Sequence, residues 1–121
     1  MNPDLYDIEF NYKDGDFLIA LAGEQLVGTG SLLPTGNGVG QIARMHTKSD
    51  YRRCGVATKI LEELEHRALA RGLSVLTLET NVDWQDANSF YLRKSYIEIG
   101  RNDVGIRYRK VLGRKSAITD G

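Results

Sequence analysis

A single cysteine, Cys54, in 121 residues excludes an internal disulfide and makes a reducing compartment, by default the cytoplasm, the expected setting. Long apolar runs are missing too. The longest, Phe17-Leu18-Ile19-Ala20-Leu21-Ala22, is far too short to span a bilayer. Met1 to Asp7 carries neither the basic flank nor the apolar stretch of a signal peptide, so none is expected. Neither sign of charge dominates: Lys+Arg and Asp+Glu each total 16. With no basic stripe interleaved with aromatics, neither nucleic acid nor an anionic membrane is expected as a partner. There is no internal repeat. What is present is ordinary for a globular protein, with 41% hydrophobic and 26% charged residues. The length suits one domain with a modest core.

The chain divides into an irregular lead-in over 1–15, a folded region to residue 112, and a flexible tail over 113–121. Phe17 to Leu21 and Leu26 to Leu33 read as a β-hairpin turning at Ala22-Gly23-Glu24-Gln25. Gly28 and Gly30 weaken the return strand and point to a bulge or a close backbone contact. Residues 34–40 are turn material, followed by a strand from Gln41 to Thr47. Val56, Ile60, Leu61, Leu64 and Ala68 repeat at helical spacing, which predicts a helix over 56–71 with Gly72 as its C′ residue. Leu73 to Thr80 reads as a buried central strand. A second helix is expected over 84–95 with Asp83 as N-cap. Tyr96 to Gly100 and Ile106 to Leu112 form a closing hairpin. The order β-β-β-α-β-α-β-β is too strand-rich and too short for a doubly wound dinucleotide fold.

The most informative stretch is Arg52-Arg53-Cys54-Gly55-Val56-Ala57, which leads into the clearest helix. Two cations, a glycine and small residues precede a helix N-terminus, whose free N–H groups and positive dipole end attract an anion. The expected ligand group is a phosphate or pyrophosphate. The spacing Gln/Arg-x-x-Gly-x-Gly/Ala, carried here by Arg52, Gly55 and Ala57, resembles the acetyl-CoA loop of the GNAT superfamily of N-acetyltransferases. Neighbouring residues extend the resemblance. Arg44-Met45-His46-Thr47 stands before the loop, and Leu61-x-x-Leu64-Glu65-x-x-Ala68 and Gly72 stand after it. Leu76 to Thr80 resembles the next strand. Ala87-x-x-Phe90-Tyr91-x-Arg93-x-Ser95-Tyr96 resembles the family's following helix end. The likeness runs over roughly residues 16–112.

The resemblance implies an α/β (α+β) domain: a mixed, mostly antiparallel sheet, splayed at the cofactor site, with two main helices packed on it. It implies acetyl-CoA as acyl donor, an amine as acceptor and no metal. The N–H groups of Arg53, Cys54, Gly55, Val56, Ala57 and Thr58 would hold the pyrophosphate, and Arg52 and Arg53 would add charge, unless one of them is solvated surface. Backbone groups of the Met45-His46-Thr47 segment would meet the pantetheine arm between the two strands. Cys54 is not expected to act as a nucleophile, because no histidine lies near it in sequence and the family usually transfers directly.

Acylating an amine with a thioester requires a deprotonated amine, a stabilised oxyanion and a departing thiolate. An amine of pKa about 10.4 is less than ~0.1% neutral at pH 7, so deprotonation matters. A strand N–H near residues 45–47 can stabilise the oxyanion. By the resemblance, Tyr91 is the proton donor or sulfur contact; the alternative is a packing aromatic, since Phe90 and Tyr91 cannot both face the core. The base is open. The family's glutamate position holds Gln41, which is neutral. His46 is the side-chain type suited to a base near neutral pH, but strict alternation places it opposite Gln41, Ala43, Met45 and Thr47. Glu79 is the other candidate, against a buried structural hydrogen bond, and a water chain is the third. Trp84 replaces a cofactor-touching asparagine of many relatives, and Ser95 replaces a glycine. The helices that relatives carry before the first hairpin have no counterpart in 15 residues, so the acceptor side is either open or completed by a partner subunit, which predicts a homodimer. A non-catalytic acyl-CoA sensor is the alternative function, and a different acyl donor such as succinyl-CoA remains compatible.

Overall fold

The computed structural model describes residues 7–113. Seven strands form one mixed sheet: β1 (Ile8–Tyr12), β2 (Phe17–Ala22), β3 (Gln25–Gly36), β4 (Val39–Thr47), β5 (Val75–Asn81), β6 (Ile97–Arg101) and β7 (Gly105–Val111). Two helices, α1 (Val56–Ala70) and α2 (Gln85–Arg93), connect β4 to β5 and β5 to β6. The spatial order is β1-β2-β3-β4-β5-β7-β6. Every neighbouring pair is antiparallel except β4 and β5. The expected fold class holds: an α/β domain with a mixed, mostly antiparallel sheet and two main helices.

Both helices lie on one face of the sheet. A Cβ at Gly28 or Gly30 would strike Val56, Ile60 and Leu64 of α1. Tyr108 of β7 meets Tyr91 of α2, while Lys110, two residues further on, reaches Glu65 of α1. The core on this face includes Leu18, Ala20, Leu32, Ile42, Leu76, Leu78 and Ile106 from the strands. No helix covers the opposite face among the described residues. Asp16, buried at the start of β2, receives Arg67 and Arg71 and so ties the last turns of α1 to the β1–β2 corner.

Several expectations need correction. The lead-in contains a strand: Ile8, Phe10 and Tyr12 alternate toward the helices, and the Tyr12 hydroxyl donates to the Glu63 carbonyl of α1 at 2.7 Å. The order is therefore β-β-β-β-α-β-α-β-β. The 34–40 loop shrinks to Asn37-Gly38, both at positive φ, because an Asn-Gly pair matches the twist of a tight hairpin and lets Pro34 and Gly36 stay in β3. Strand β5 begins at Val75, and only one of its faces is buried. Helix α2 is shorter than 84–95, and its N-cap is Trp84, with no side-chain capping bond. Asp83 does not cap, because the helix starts one residue later: its first bond runs from the Asn88 N–H to the Trp84 carbonyl at 2.9 Å. The tail, beyond Gly113, lies outside the described residues.

Candidate functional site

The parallel pair opens. Strands β4 and β5 pair through Val39↔Val75, Gly40↔Leu76 and Gln41↔Thr77 only, although both continue well beyond. From Ile42 to Thr47 and from Leu78 to Asn81 each strand keeps its outer partner and leaves its inner edge free. A strand edge carries N–H and C=O groups that need partners. An extended, amide-bearing arm fits such a gap. The C-terminal mouth between parallel strands is also where open α/β sheets place ligands.

A bulge sets the side chains of β4. Ser31 faces Ala43 and Thr29 faces His46, so Gly30 opposes both Arg44 and Met45. Arg44 takes the strain at φ 56°. The Thr29 hydroxyl donates to the Arg44 carbonyl and the Ser31 hydroxyl to the Ala43 carbonyl. The extra residue inverts the alternation. Met45 turns to the helix face, where its sulfur lies 2.7 Å from the Cβ position of Gly30. His46 therefore shares the open face with Gln41 and Ala43, contrary to the expectation from strict alternation.

At the mouth, one 3-10 turn (Ser49–Tyr51) leads to Arg52 in extended conformation. Arg53 and Gly55 follow at φ 64° and 88°. The first helical bond of α1 runs from the Lys59 N–H to the Gly55 carbonyl at 3.0 Å, and Gly55 caps without a side chain. Among the described residues, the N–H groups of 53–58 take no acceptor. Left-handed residues alternating with other conformations can turn successive N–H groups toward one point, and a helix N-terminus with free N–H groups suits an anion. Arg52, Arg53, Cys54, Gly55, Val56, Ala57 and Thr58 thus lie together at the start of α1. The Cys54 thiol donates to the Arg52 carbonyl at 3.5 Å.

Tyr91 lies on α2, 6% exposed, edge-on to Phe90 and Tyr96 and tilted against Tyr108. Phe90 is only partly buried. Three tyrosines crowd here, and two are committed. The Tyr96 hydroxyl donates to Glu65 at 2.8 Å and the Tyr108 hydroxyl to Asn88 at 2.9 Å. The Tyr91 hydroxyl has no such bond among the described residues, and no buried side-chain oxygen there lacks a partner, so it keeps contact with solvent. Burial pushes its pKa well above the usual tyrosine value, which keeps it protonated. Asn88 carries no signal in the sequence. Its carbonyl oxygen accepts from Thr80 of β5 and Tyr108 of β7, and its amide donates to the Asn81 carbonyl at 3.2 Å. It locks the helix that carries Tyr91 to the parted strand. Ser95, at φ 75°, adopts the turn conformation that its position demands.

The tyrosine cluster predicts an alkaline limit. Tyr91 and Tyr96 have raised pKa values in the fold, first from burial and, for Tyr96, then from Glu65. The folded state therefore holds these protons more tightly than the unfolded chain, whose tyrosines titrate near 10. This stabilisation is complete below pH ~10 and is lost as pH rises through the folded values. Urea midpoints should hold steady on this account from pH 8 to 9.5 and fall above 10. A flat profile to pH 11 would remove the assignment.

Glu79 is not buried. It stands on the open face, its side chain 64% exposed, with Arg107 of β7 directly opposite and Arg107 Nε 3.5 Å from its carboxylate. Trp84 is exposed at the entry of α2. No group of three or more metal-ligating side chains occurs among the described residues, and no helix there is long and apolar enough to cross a membrane.

A mixed sheet whose one parallel pair parts beside the loop at a helix N-terminus defines the class of α/β domain. Comparison with known proteins narrows it. The model of the Acetyltransferase (GNAT) family matches residues 2–96. An IAA acetyltransferase of Azospirillum brasilense is 31% identical over 107 residues, covering 80% of this chain and 70% of that protein. N-acetyltransferase 8F1 of Rattus norvegicus is 27% identical over 118 residues, which is 92% of this chain but 53% of that protein. Among solved structures, a GNAT-family acetyltransferase of Staphylococcus aureus Mu50 superposes with a TM-score of 0.75 at 23% identity, covering 80% of this chain and 67% of that one. PaiA N-acetyltransferase of Thermoplasma acidophilum, solved in complex with coenzyme A, gives 0.74 at 20% identity, covering 78% and 59%. The chain belongs to the GNAT acetyltransferase family.

Proposed function

We propose that this protein is an acetyl-CoA-dependent N-acetyltransferase that passes the acetyl group directly to an amine. The observation that carries the reading is the run of free N–H groups over 53–58 at the mouth of the parted strands. This cradle fits a pyrophosphate, and the free edges of β4 and β5 behind it fit an amide-bearing arm. Acetyl-CoA, when bound, supplies the acyl carbon and a thiolate leaving group. Arg52 and Arg53 add positive charge to the cradle. Backbone groups of Met45, His46 and Thr47 line the free edge of β4, where an N–H can face a developing oxyanion. Tyr91, protonated and solvent-accessible, gives the proton that the departing sulfur needs. On the open face Glu79 and His46 stand where an amine can shed its proton, directly or through water. Gln41 cannot take that role.

The test is acetyl-CoA binding followed by CoA release with a broad amine panel. Binding with turnover supports the reading. Tight binding with no turnover on any amine supports the acyl-CoA sensor instead, which the neutral Gln41 favours. Pairing of two copies belongs to the same reading. Leu33, Ile97 and Val111 are exposed large apolar side chains, and Leu33 and Ile97 share one row across the open face with Gln41, Thr77 and Arg109. Light scattering should give about twice the 13.5 kDa chain mass; a monomer mass rejects the pairing.

A further inference from the structure

We propose that the acceptor is a small zwitterion of the α-amino acid class, with Arg107 holding its carboxylate and Glu79 its ammonium group. The inference rests on the acetyl-transfer reading and adds the acceptor's chemistry.

The open face carries a depression of about 250 Å³ lined by Glu79, Gly100, Arg101, Asn102, Gly105 and Arg107. Glu79 stands two residues past Thr77, the last residue of β5 to pair with β4, so the depression lies beside the parted segment. Glu79 thus belongs both to the parted segment of β5 and to the wall of the hollow. Glycine forms part of the wall: a Cβ on Gly100 would meet nothing within 4 Å, which marks open space above it.

The charges in this hollow differ in how firmly they are held. Arg101 is clamped by Glu98 through two bonds of 2.6 and 2.7 Å. Arg107 and Glu79 make a single long contact of 3.5 Å, with side chains 63% and 64% exposed. A solvated pair of this kind contributes little to stability, so exchanging it for a ligand costs little. The guanidinium offers a flat fork of donors matched to a carboxylate. An α-amino acid carries its cation and anion on one carbon, the same juxtaposition that Glu79 and Arg107 present in reverse. Its nitrogen, once one proton has passed to Glu79 or water, forms the N–C bond to the acyl carbon. The C–S bond breaks, the electron pair leaves on sulfur, and that sulfur takes the Tyr91 proton. The amine's second proton is lost to water and the tyrosine is reprotonated.

The experiment compares the common α-amino acids with their carboxamides as acceptors, using acetyl-CoA and CoA release. The ratio of kcat/KM for acid over amide should favour the acid. In Arg107→Ala that ratio should fall about 10- to 100-fold through KM, the loss expected for one charged hydrogen-bonded contact. Arg107→Lys should restore part of it, since a charge remains without the fork. Equal use of acids and amides, or an unchanged ratio in Arg107→Ala, overturns the proposal while leaving acetyl transfer intact. Turnover with neither set nor with any other amine removes the acetyl-transfer reading, and the proposal with it.

Discussion

Tyr91→Phe should lower kcat about 100-fold or more while leaving acetyl-CoA affinity nearly unchanged. A positioned proton donor contributes roughly 10²- to 10⁴-fold to a rate. The substitution suits the question because it removes one atom and little else. The Phe90, Tyr96 and Tyr108 rings keep their contacts, since phenylalanine has the same ring. No protein partner among the described residues is left unpaired, because the hydroxyl takes no bond there. Thermal unfolding should therefore be nearly unchanged, which separates a chemical loss from a folding loss. The pH profile adds a second readout. With its pKa raised above the usual tyrosine value, Tyr91 stays protonated across the working range. The native rate should keep rising with pH as the amine deprotonates, with no fall from Tyr91 below pH ~10. Full activity of the variant at every pH tested would end the proton-donor role.

The parts of this site that depend on local sequence were legible in it. Arg52, Gly55 and Ala57 mark the loop before α1 because a helix N-terminus and a left-handed glycine are local features. The apolar stripe of α1 is local as well, and its buried residues are the five expected: Val56, Ile60, Leu61, Leu64 and Ala68. Strand β1 was legible in principle, through the alternation of Ile8, Phe10 and Tyr12, but five residues among scattered acids make a weak period. The bulge was legible only in part: Gly28 and Gly30 point to a bulge or a close backbone contact and both occur there, but nothing in the sequence puts the extra residue at Arg44 of the facing strand. An arginine at positive φ carries no residue-type signal, and the slip appears only when Ser31 and Thr29 are set against β4. That single slip moves His46 to the open face of the sheet. Glu79 opposite Arg107 is likewise a product of register between strands separated by a helix and a hairpin. Asp83 failed as a cap because the helix begins one residue later than its sequence position suggests, with Trp84 at the N-cap.

Gly30→Val should destabilise the fold by about 3 kcal/mol and loosen the cofactor loop. Helix α1 rests on β3 without side chains between them at this point. An added Cβ would lie 2.6 Å from Ile60 Cγ2, 2.7 Å from the Met45 sulfur and 3.0 Å from Leu64 Cδ1. The sulfur and the leucine tip can move, but Cγ2 branches directly from the Ile60 Cβ and cannot yield without the helix. Overpacking of this kind typically costs 1–3 kcal/mol, and valine adds two methyl groups to the clash. For a chain of this size that corresponds to a fall in Tm of roughly 10 °C. Because α1 begins at Val56, lifting it also displaces the N–H groups of 53–58 from the mouth of the parted strands. Acetyl-CoA affinity should fall along with Tm, in contrast to Tyr91→Phe. Gly30→Ala should show the same two losses at smaller size. Gly100→Ala is the control, since its Cβ meets open space, and it should leave Tm nearly unchanged. A Gly30→Val protein with native Tm and native acetyl-CoA affinity would mean that α1 does not depend on this contact for its seat, and that the loop is positioned by the Asp16 ion pairs at the far end of the helix instead.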